Sequence, residues 1–114
     1  MEIVIAGKPI ARRELAAIAE QQFGNLVKAV VDVERAVMAV GGELHADEEA
    51  VLLERGSKQE HLWGINLYPK REDDQWVEFD SMINIRPSQG NSSRVIADPA
   101  VQERIREIIR RIVT

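Results

Sequence analysis

The chain contains no cysteine, which excludes disulfide bonds and metal sites built from thiolates. Aromatic residues make up only 4 % of it, and most of them lie on two predicted strands that a helix layer would cover. Proteins that bind single-stranded nucleic acid need exposed aromatic rings on which bases stack. No apolar run reaches the roughly 18–20 residues of a transmembrane helix. We therefore expect neither a nucleic acid nor a membrane as the partner.

Sequence motifs that announce common reactions are also absent. There is no Gly-x-Ser-x-Gly elbow for a nucleophilic serine, and neither of the glycine-rich motifs that cradle phosphates. Only two histidines are available as a general base. The sequence therefore names no reaction and no cofactor, and it leaves open whether the protein is an enzyme.

The length of 114 residues fits one domain spanning residues 1–114. Apolar residues at 45 % and charged residues at 30 % are typical of a globular protein. The opening Met1-Glu2-Ile3 reaches Gly7 and Lys8 without the basic start and longer apolar segment of a signal peptide. We expect a cytoplasmic location.

The charge is unevenly distributed along the chain. Net charge is −4 at pH 7, yet residues 81–114 carry six arginines and only three acidic residues. Arginine suits planar, bidentate contact with carboxylate or phosphate. Four of these arginines lie on the last predicted helix, where a solvated face is the ordinary explanation.

Three segments have clear local signals. Ile3 to Ile5 is a short apolar run that predicts a strand. Apolar residues at helical spacing predict a helix over 11–23, ended by Gly24. Asp98 as N-cap and Pro99 in the first turn begin a last helix. Its apolar stripe consists of Val101, Ile105, Ile108, Ile109 and Ile112.

Residues 25–42 carry conflicting signals. Their many valines favour a strand, whereas Lys28, Asp32 and Arg35 recur at steps that share one face of a helix. Asn25 suits a helix N-cap and Gly41 a helix C-terminus. Strict alternation, which a half-buried strand requires, is broken at adjacent valines 30 and 31. We predict a helix.

The remaining segments predict four strands, at 43–45, 50–55, 62–68 and 76–86. Asp47-Glu48-Glu49 forms the turn between the first two, and the charged connector 69–74 separates the last two. The fold class is therefore α+β. We expect two layers, a mainly antiparallel β-meander of four to five strands packed with about three helices.

Three blocks of the sequence resemble one protein family. They are Gly-Gly-Glu-Leu-His-Ala-Asp at 41–47, Leu-Trp-Gly-Ile-Asn-Leu-Tyr-Pro at 62–69 and Ile-Asn-Ile-Arg-Pro-Ser-Gln-Gly-Asn at 83–91. The family comprises small bacterial proteins that share a domain of unknown function, and the similarity covers essentially the whole chain. Ala11 departs from it, since the family has a serine cap there. The resemblance implies a cytoplasmic bacterial protein and supplies no activity or site residue.

A functional surface is predicted where the strand 76–86 ends. Residues 88–94 are rich in hydroxyl and amide groups, and backbone N–H groups around Gly90 could form an anion-binding concavity beside two arginines. Asparagines among apolar neighbours either pin a loop or contact a ligand, and both roles remain open. The residues that we expect at this site are Asn66, Tyr68, Asn84, Arg86, Gln89, Asn91, Ser93 and Arg94.

A second candidate site is acidic. Glu43 and His45 would point to the same face of a strand, and Asp47 follows at the turn. Carboxylates beside an imidazole form an N/O site for Zn²⁺, Mn²⁺ or Fe²⁺. A solvated hairpin tip explains the same pattern without a metal.

Three hypotheses about function follow. The first is a binding module that captures a small anionic ligand at the loop 84–94. The second is a metal-dependent hydrolase that uses Glu43, His45 and Asp47. The third is an interaction module whose partner is another protein, including a second copy in a homodimer, because acidic and basic parts of the chain could meet.

Overall fold

A computed structural model describes residues 3–114; Met1 and Glu2, with which the predicted domain begins, lie outside the described residues. The helices and strands are β1 (Val4–Ala6), α1 (Arg12–Gln21), β2 (Val27–Asp32), β3 (Val37–Val40), α2 (His45–Glu54), β4 (Leu62–Leu67), β5 (Val77–Glu78) and α3 (Pro99–Ile112). The predicted α+β class is confirmed, with three helices and a five-stranded antiparallel sheet among residues 3–114.

The strands follow the order β1-β3-β2-β4-β5, and every neighbouring pair is antiparallel. The long strands β2 and β4 occupy the interior of the sheet. They pair along their whole length, from Val27 opposite Leu67 to Asp32 opposite Leu62. Thus β4 pairs with β2 and not with β3, the strand that precedes it in the chain.

Helices cover both faces of the sheet. Ala29 and Val31 point to one face, where they pack with Leu15 of α1 and Ile105 of α3. Val30 points to the other face, where it packs with Leu52 of α2. The helix layer that the sequence predicts on one face is therefore accompanied by α2 on the second face.

Residues 25–42 form the β2–β3 hairpin, so the predicted helix is wrong. Every residue of β2 except Lys28 is buried. Because helices cover both faces of the sheet, both faces of the strand are apolar and the expected alternation disappears. Asp32 ends β2 and accepts hydrogen bonds from the N–H groups of Glu34 and Arg35, both 2.9 Å long. The polar residues that suggested a helical face therefore lie in a strand and its turn.

Residues 43–55 form no strands, contrary to the prediction, because His45 to Glu54 are helical. The segment is rich in good helix formers, and the predicted turn at 47–49 is simply the first part of α2. Only two residues of α2 are wholly buried, Glu48 and Leu52. One of these two is a carboxylic acid, so the sequence shows no apolar stripe.

The predicted strand over 76–86 is confirmed only at Val77 and Glu78. Ser81 then caps a short 3₁₀ helix over Met82–Asn84, since its Oγ accepts the Ile83 N–H at 3.3 Å. A second 3₁₀ turn follows at Pro87–Gln89. The segment therefore leaves the sheet and folds back over α2's side of it.

The predictions for the two other helices and the strand 62–68 are confirmed. Gly24, at φ +91°, donates its N–H to the Ala19 carbonyl at 2.7 Å and closes the end of α1. Asp98 accepts the Ala100 N–H at 2.9 Å, and Pro99 begins α3. None of the helices in residues 3–114 has the length and apolar composition of a membrane-spanning segment.

Gly64, in the middle of β4, provides a test of how tightly the 3₁₀ segment packs on the sheet. A Cβ atom at this position would lie 2.5 Å from Cβ of Ser81 and 3.1 Å from a side-chain carbon of Ile83. We expect Gly64→Ala to lower the free energy of unfolding by about 2 kcal/mol or more in urea denaturation. Gly7→Ala, whose Cβ would meet only a Val37 methyl at 3.2 Å, is the control and should have a smaller effect. Equal effects would contradict the close packing.

Candidate functional site

Asn84 fixes the segment that was predicted to carry the site. Its side chain is fully buried, and its carboxamide bonds to both backbone groups of Gly64. Oδ1 accepts the Gly64 N–H at 2.8 Å, while Nδ2 donates to the Gly64 carbonyl at 2.9 Å and to the Arg94 carbonyl at 3.0 Å. All of these partners belong to the protein, so the role of Asn84 is structural.

The turn after Arg86 is closed by its own backbone. Arg86 and Asn91 exchange two backbone hydrogen bonds of 2.6 Å and 3.1 Å, and Gly90 adopts a φ of +79° between them. The N–H groups of Gln89 and Gly90 donate to the carbonyls of Arg86 and Pro87. These N–H groups are therefore used within the turn and do not line the anion-binding concavity that we expected around Gly90.

The Arg86 side chain is also used internally. Its guanidinium donates to the Leu62 carbonyl, lies 3.4 Å from the Glu49 carboxylate and is stacked 4.9 Å from the centre of the Trp63 ring. Only 8 % of Arg86 is exposed, and this desolvation lowers its pKa, although the negative charge of Glu49 opposes the shift. Arg86 thereby joins β4, α2 and the turn.

Other residues of the predicted site likewise bond to nearby backbone. Asn91 is buried and donates to the carbonyls of Asn84, Ser93 and Val95 at 2.8–3.1 Å. Gln89 donates to the Glu60 carbonyl at 3.1 Å. The predicted residues thus converge in space, but they do so as a hydrogen-bonded scaffold.

Beside this scaffold is an open depression of about 230 Å³, which we call the Lys28 cleft. It lies between the first turn of α2, the uncovered end of β2 and β4, and the segment 80–83. Two of the predicted ligand residues, Asn66 and Arg94, line it. The polar residues of its lining are Lys28, His45, Asn66, Asp80, Ser81 and Arg94.

Lys28 supplies a cation without a countercharge. It is the half-buried residue of β2, directly opposite Asn66 of β4. Its ammonium forms no ion pair with any carboxylate of residues 3–114 and lies 4.7 Å from the centre of the Phe23 ring. Arg12 is also half-buried without an ion pair, but its guanidinium bonds to the Pro69 carbonyl, whereas no hydrogen bond to another residue involves the Lys28 ammonium among residues 3–114.

His45, the first residue of α2, is a neutral base at the cleft. Its Nε2 lies 2.7 Å from the Ile65 carbonyl, which can only accept, so Nε2 carries the proton and Nδ1 keeps its lone pair. Desolvation lowers the His45 pKa below its ordinary value of 6.5, and the charges of Lys28 and Arg94 act in the same direction, against the opposing effects of the Ile65 bond and the Asp80 charge. The lowered pKa favours the neutral form of the ring at pH 7.

The acidic candidate site is not assembled. Within residues 3–114, no group of three or more histidine, aspartate or glutamate side chains is close enough to hold a metal ion. Glu43 precedes α2, whereas His45 and Asp47 lie on its first turn, and the Nε2 of His45 is held by a carbonyl. The expectation that these three residues share a strand face is wrong because the segment is a helix.

A row of polar side chains crosses the sheet at the cleft. Asn66 donates to the Glu78 carboxylate at 2.8 Å and to the Asp80 carbonyl at 3.2 Å. Tyr68 donates to the same Glu78 oxygen at 3.2 Å, and desolvation together with the Glu78 charge raises its pKa. Arg94 pairs with Asp80 at 2.8 Å on the exposed rim. These bonds leave the carbonyl oxygen of the Asn66 side chain as an acceptor.

Glu48 lies behind the cleft, under α2. It is fully buried, and one carboxyl oxygen accepts the Gly42 N–H at 3.0 Å. The other oxygen has no hydrogen-bond partner among the described residues. Desolvation raises the Glu48 pKa from 4.5 to about 9, against the opposing effects of the Gly42 bond and the Lys28 charge. Glu48 is therefore protonated at neutral pH.

Sequence reasoning missed Lys28 as a site residue. The helix predicted over 25–42 placed it on one face together with Asp32 and Arg35. In a strand, Lys28 lies on the face opposite to its neighbours Val27 and Ala29, because side chains alternate between the two faces. A strand prediction for this segment would therefore have identified Lys28 as a polar residue on a sheet face.

A substitution separates the structural role of Arg86 from a ligand role. We expect Arg86→Lys to lower the free energy of unfolding by about 1–3 kcal/mol in urea denaturation, because lysine cannot bond to Leu62 and stack on Trp63 at once. Arg94→Lys is the control, and its exposed ion pair should change stability by less than about 1 kcal/mol. Equal losses in both variants would contradict the structural role.

The pH dependence of stability tests the state of Glu48. Above pH 4.5 the unfolded chain releases this proton while the folded protein keeps it up to about pH 9, so Glu48 lowers stability progressively across this range. The loss is at most about 1.4 kcal/mol per pH unit. In Glu48→Gln, stability relative to the unmodified protein should therefore rise between pH 5 and 9 and level off below pH 4.5.

The matched control for this experiment is Glu54→Gln, which changes an exposed carboxylate at the other end of α2. Its stability relative to the unmodified protein should stay constant over the same pH range. A constant difference for Glu48→Gln as well would show that Glu48 ionises normally in the folded state.

Comparison with known proteins places the chain in a family. The profile described as "Protein of unknown function (DUF5674)" matches residues 3–112, which is nearly the entire sequence. Neither the curated proteins nor the solved structures include a match. The predicted resemblance to a family with a domain of unknown function is thereby confirmed, and the chain belongs to the DUF5674 family.

Proposed function

We propose that this protein is a binding module for a small anionic molecule, which it holds in the Lys28 cleft. The observation that carries the proposal is Lys28, a half-buried residue whose ammonium has no carboxylate partner within residues 3–114. An anion bound in the cleft would give this ammonium a countercharge through charge-assisted hydrogen bonds.

The groups around Lys28 indicate the chemistry of the ligand. The unprotonated Nδ1 of His45 and the side-chain carbonyl of Asn66 accept hydrogen bonds, whereas Lys28 donates them. A ligand that combines an anionic oxygen with a hydroxyl or a protonated phosphate oxygen would satisfy both kinds of group. The cleft volume of about 230 Å³ suits a ligand of a few heavy atoms or one part of a larger molecule.

This proposal keeps the anionic ligand expected from the sequence but moves its centre. Asn66 and Arg94 remain ligand residues, and Tyr68 supports Glu78 at the edge of the row. Asn84 holds Arg94 at the cleft by donating to its carbonyl, and Arg86 fixes the adjoining turn by donating to the Leu62 carbonyl. The loop 88–94 then acts by positioning Arg94 rather than by binding the anion itself.

Titration with small anions tests the proposal. Inorganic phosphate, adenosine monophosphate and citrate are added separately, at constant ionic strength, and amide NMR signals are recorded. We expect at least one of these anions to shift the signals of Lys28, His45 and Asn66 in a saturable way. Lys28→Gln should weaken that binding at least tenfold, because the variant lacks the central cation.

Lys70→Gln is the matched control, since Lys70 is exposed and lies away from the cleft lining. It changes the net charge equally and should leave the affinity unchanged. The proposal fails if none of the three anions shifts cleft residues, or if both lysine variants weaken binding to the same extent.

A further inference from the structure

The Lys28 cleft is the middle part of a longer groove. A depression of about 460 Å³ adjoins it on one side, and the two share Lys28 and Leu44. Another depression, of about 440 Å³, adjoins it on the other side, and these two share Met82 and Ile83. The shared residues place the three depressions next to one another on the surface, and we call them together the groove.

Exposed apolar side chains are concentrated along this groove. Residues 3–114 have seven large apolar residues that are exposed, and four of them line the groove. Phe23 and Leu44 lie at one end, whereas Met82 and Ile85 lie at the other, with exposed fractions from 39 % to 64 %. Single exposed apolar residues are ordinary, but a group of them along one groove is characteristic of an interaction surface.

The unpaired cation of the groove is Lys28, which belongs to the first two depressions. The other cations of the groove are already paired, Arg94 with Asp80 and Arg86 with Glu49. A complementary partner therefore carries one acidic group in the centre and an apolar group on each side. An extended peptide has this form, because side chains two residues apart point to the same side.

We propose that the groove binds an extended segment of a partner protein in which an aspartate or glutamate is flanked on both sides by apolar residues. This inference rests on the proposed function, since the acidic side chain would be the anion that Lys28 holds. Seven extended residues span about 23 Å. The molecule measures 36 × 30 × 24 Å, so an extended heptapeptide is no longer than its shortest dimension.

Fluorescence anisotropy with labelled heptapeptides tests the inference. The probe is a peptide library with glutamate at the fourth position, a mixture of leucine, isoleucine, methionine and phenylalanine at the second and sixth positions, and serine elsewhere. We expect it to bind at least tenfold more tightly than the same library with glutamine at the fourth position. Its affinity should also be at least tenfold higher than that of the peptide with glutamate at the fourth position and serine at the second and sixth positions.

Variants of the protein assign the contacts. Leu44→Ser and Met82→Ser should each weaken peptide binding at least fivefold. Ile85→Ser, which changes an exposed residue of the third depression outside the Lys28 cleft, should weaken peptide binding to a similar extent while leaving the response of Lys28 to small anions unchanged. Leu44 is the N-cap of α2, where serine is a favourable residue, so this variant should remain folded. Leu53→Ser, which changes an apolar residue of α2 that is 40 % exposed and outside the groove lining, is the control and should bind normally.

The outcomes separate the two proposals. If a small anion binds at Lys28 but the apolar peptides bind no better than the serine peptide, the peptide inference is wrong and the anion-binding function stands. If neither small anions nor peptides bind, both are wrong. Light scattering measures the oligomeric state. If the protein is a dimer that Leu44→Ser and Met82→Ser dissociate, a second copy of this chain occupies the groove and the peptide inference is wrong.

Discussion

The packing of residues 80–94 on the sheet depends on the hydrogen bonds between the Asn84 side chain and the backbone of Gly64. β5 is only two residues long and pairs with the last part of β4, so the middle of β4 has no strand beside it on that side. There the Asn84 carboxamide bonds to the N–H and the carbonyl of Gly64 and takes the place of a strand's peptide group. The absence of a Gly64 side chain lets Ser81 and Ile83 approach closely. The contact therefore requires both the Asn84 carboxamide and the absence of a side chain at Gly64.

Consequences of this contact extend to the cleft and to the scaffold behind it. Asn84 also bonds to the Arg94 carbonyl, and Asn91 bonds to the Asn84 carbonyl. The turn between them then directs Arg86 inward to Leu62 and Trp63. In this part of the molecule, buried polar side chains stabilise the packing through hydrogen bonds. This is possible because nearly every buried donor and acceptor has a partner.

The fold class and the outer helices were predictable from the sequence because their signals are local. Asp98, Pro99 and the isoleucines of α3 form a cap and a stripe that need no tertiary context. The β2–β3 hairpin and α2 were not predictable in the same way. Burial on both faces removes the alternation of β2, and the buried Glu48 removes the stripe of α2. In both cases packing decides the structure against the local pattern.

The site was predicted in part. The sequence indicated the importance of Asn66, Asn84 and Arg86, since polar residues within apolar strands require partners. It could not distinguish partners within the protein from a ligand, because that depends on contacts such as Arg86 with Leu62 and Glu49, far away in the chain. Lys28 was missed because its role follows from a strand that the pattern did not reveal.

The order of the strands also bears on the exposure of sheet edges to other chains. β2 and β4, the longest strands with six residues each, lie inside the sheet, whereas the edges are β1 with three residues and β5 with two. Asp80 and Val95 form a bridge beside β5 that covers part of that edge. Short, partly covered edges give another chain few free backbone groups to pair with. We therefore expect a low tendency towards edge-to-edge aggregation, even though the central strands are largely apolar.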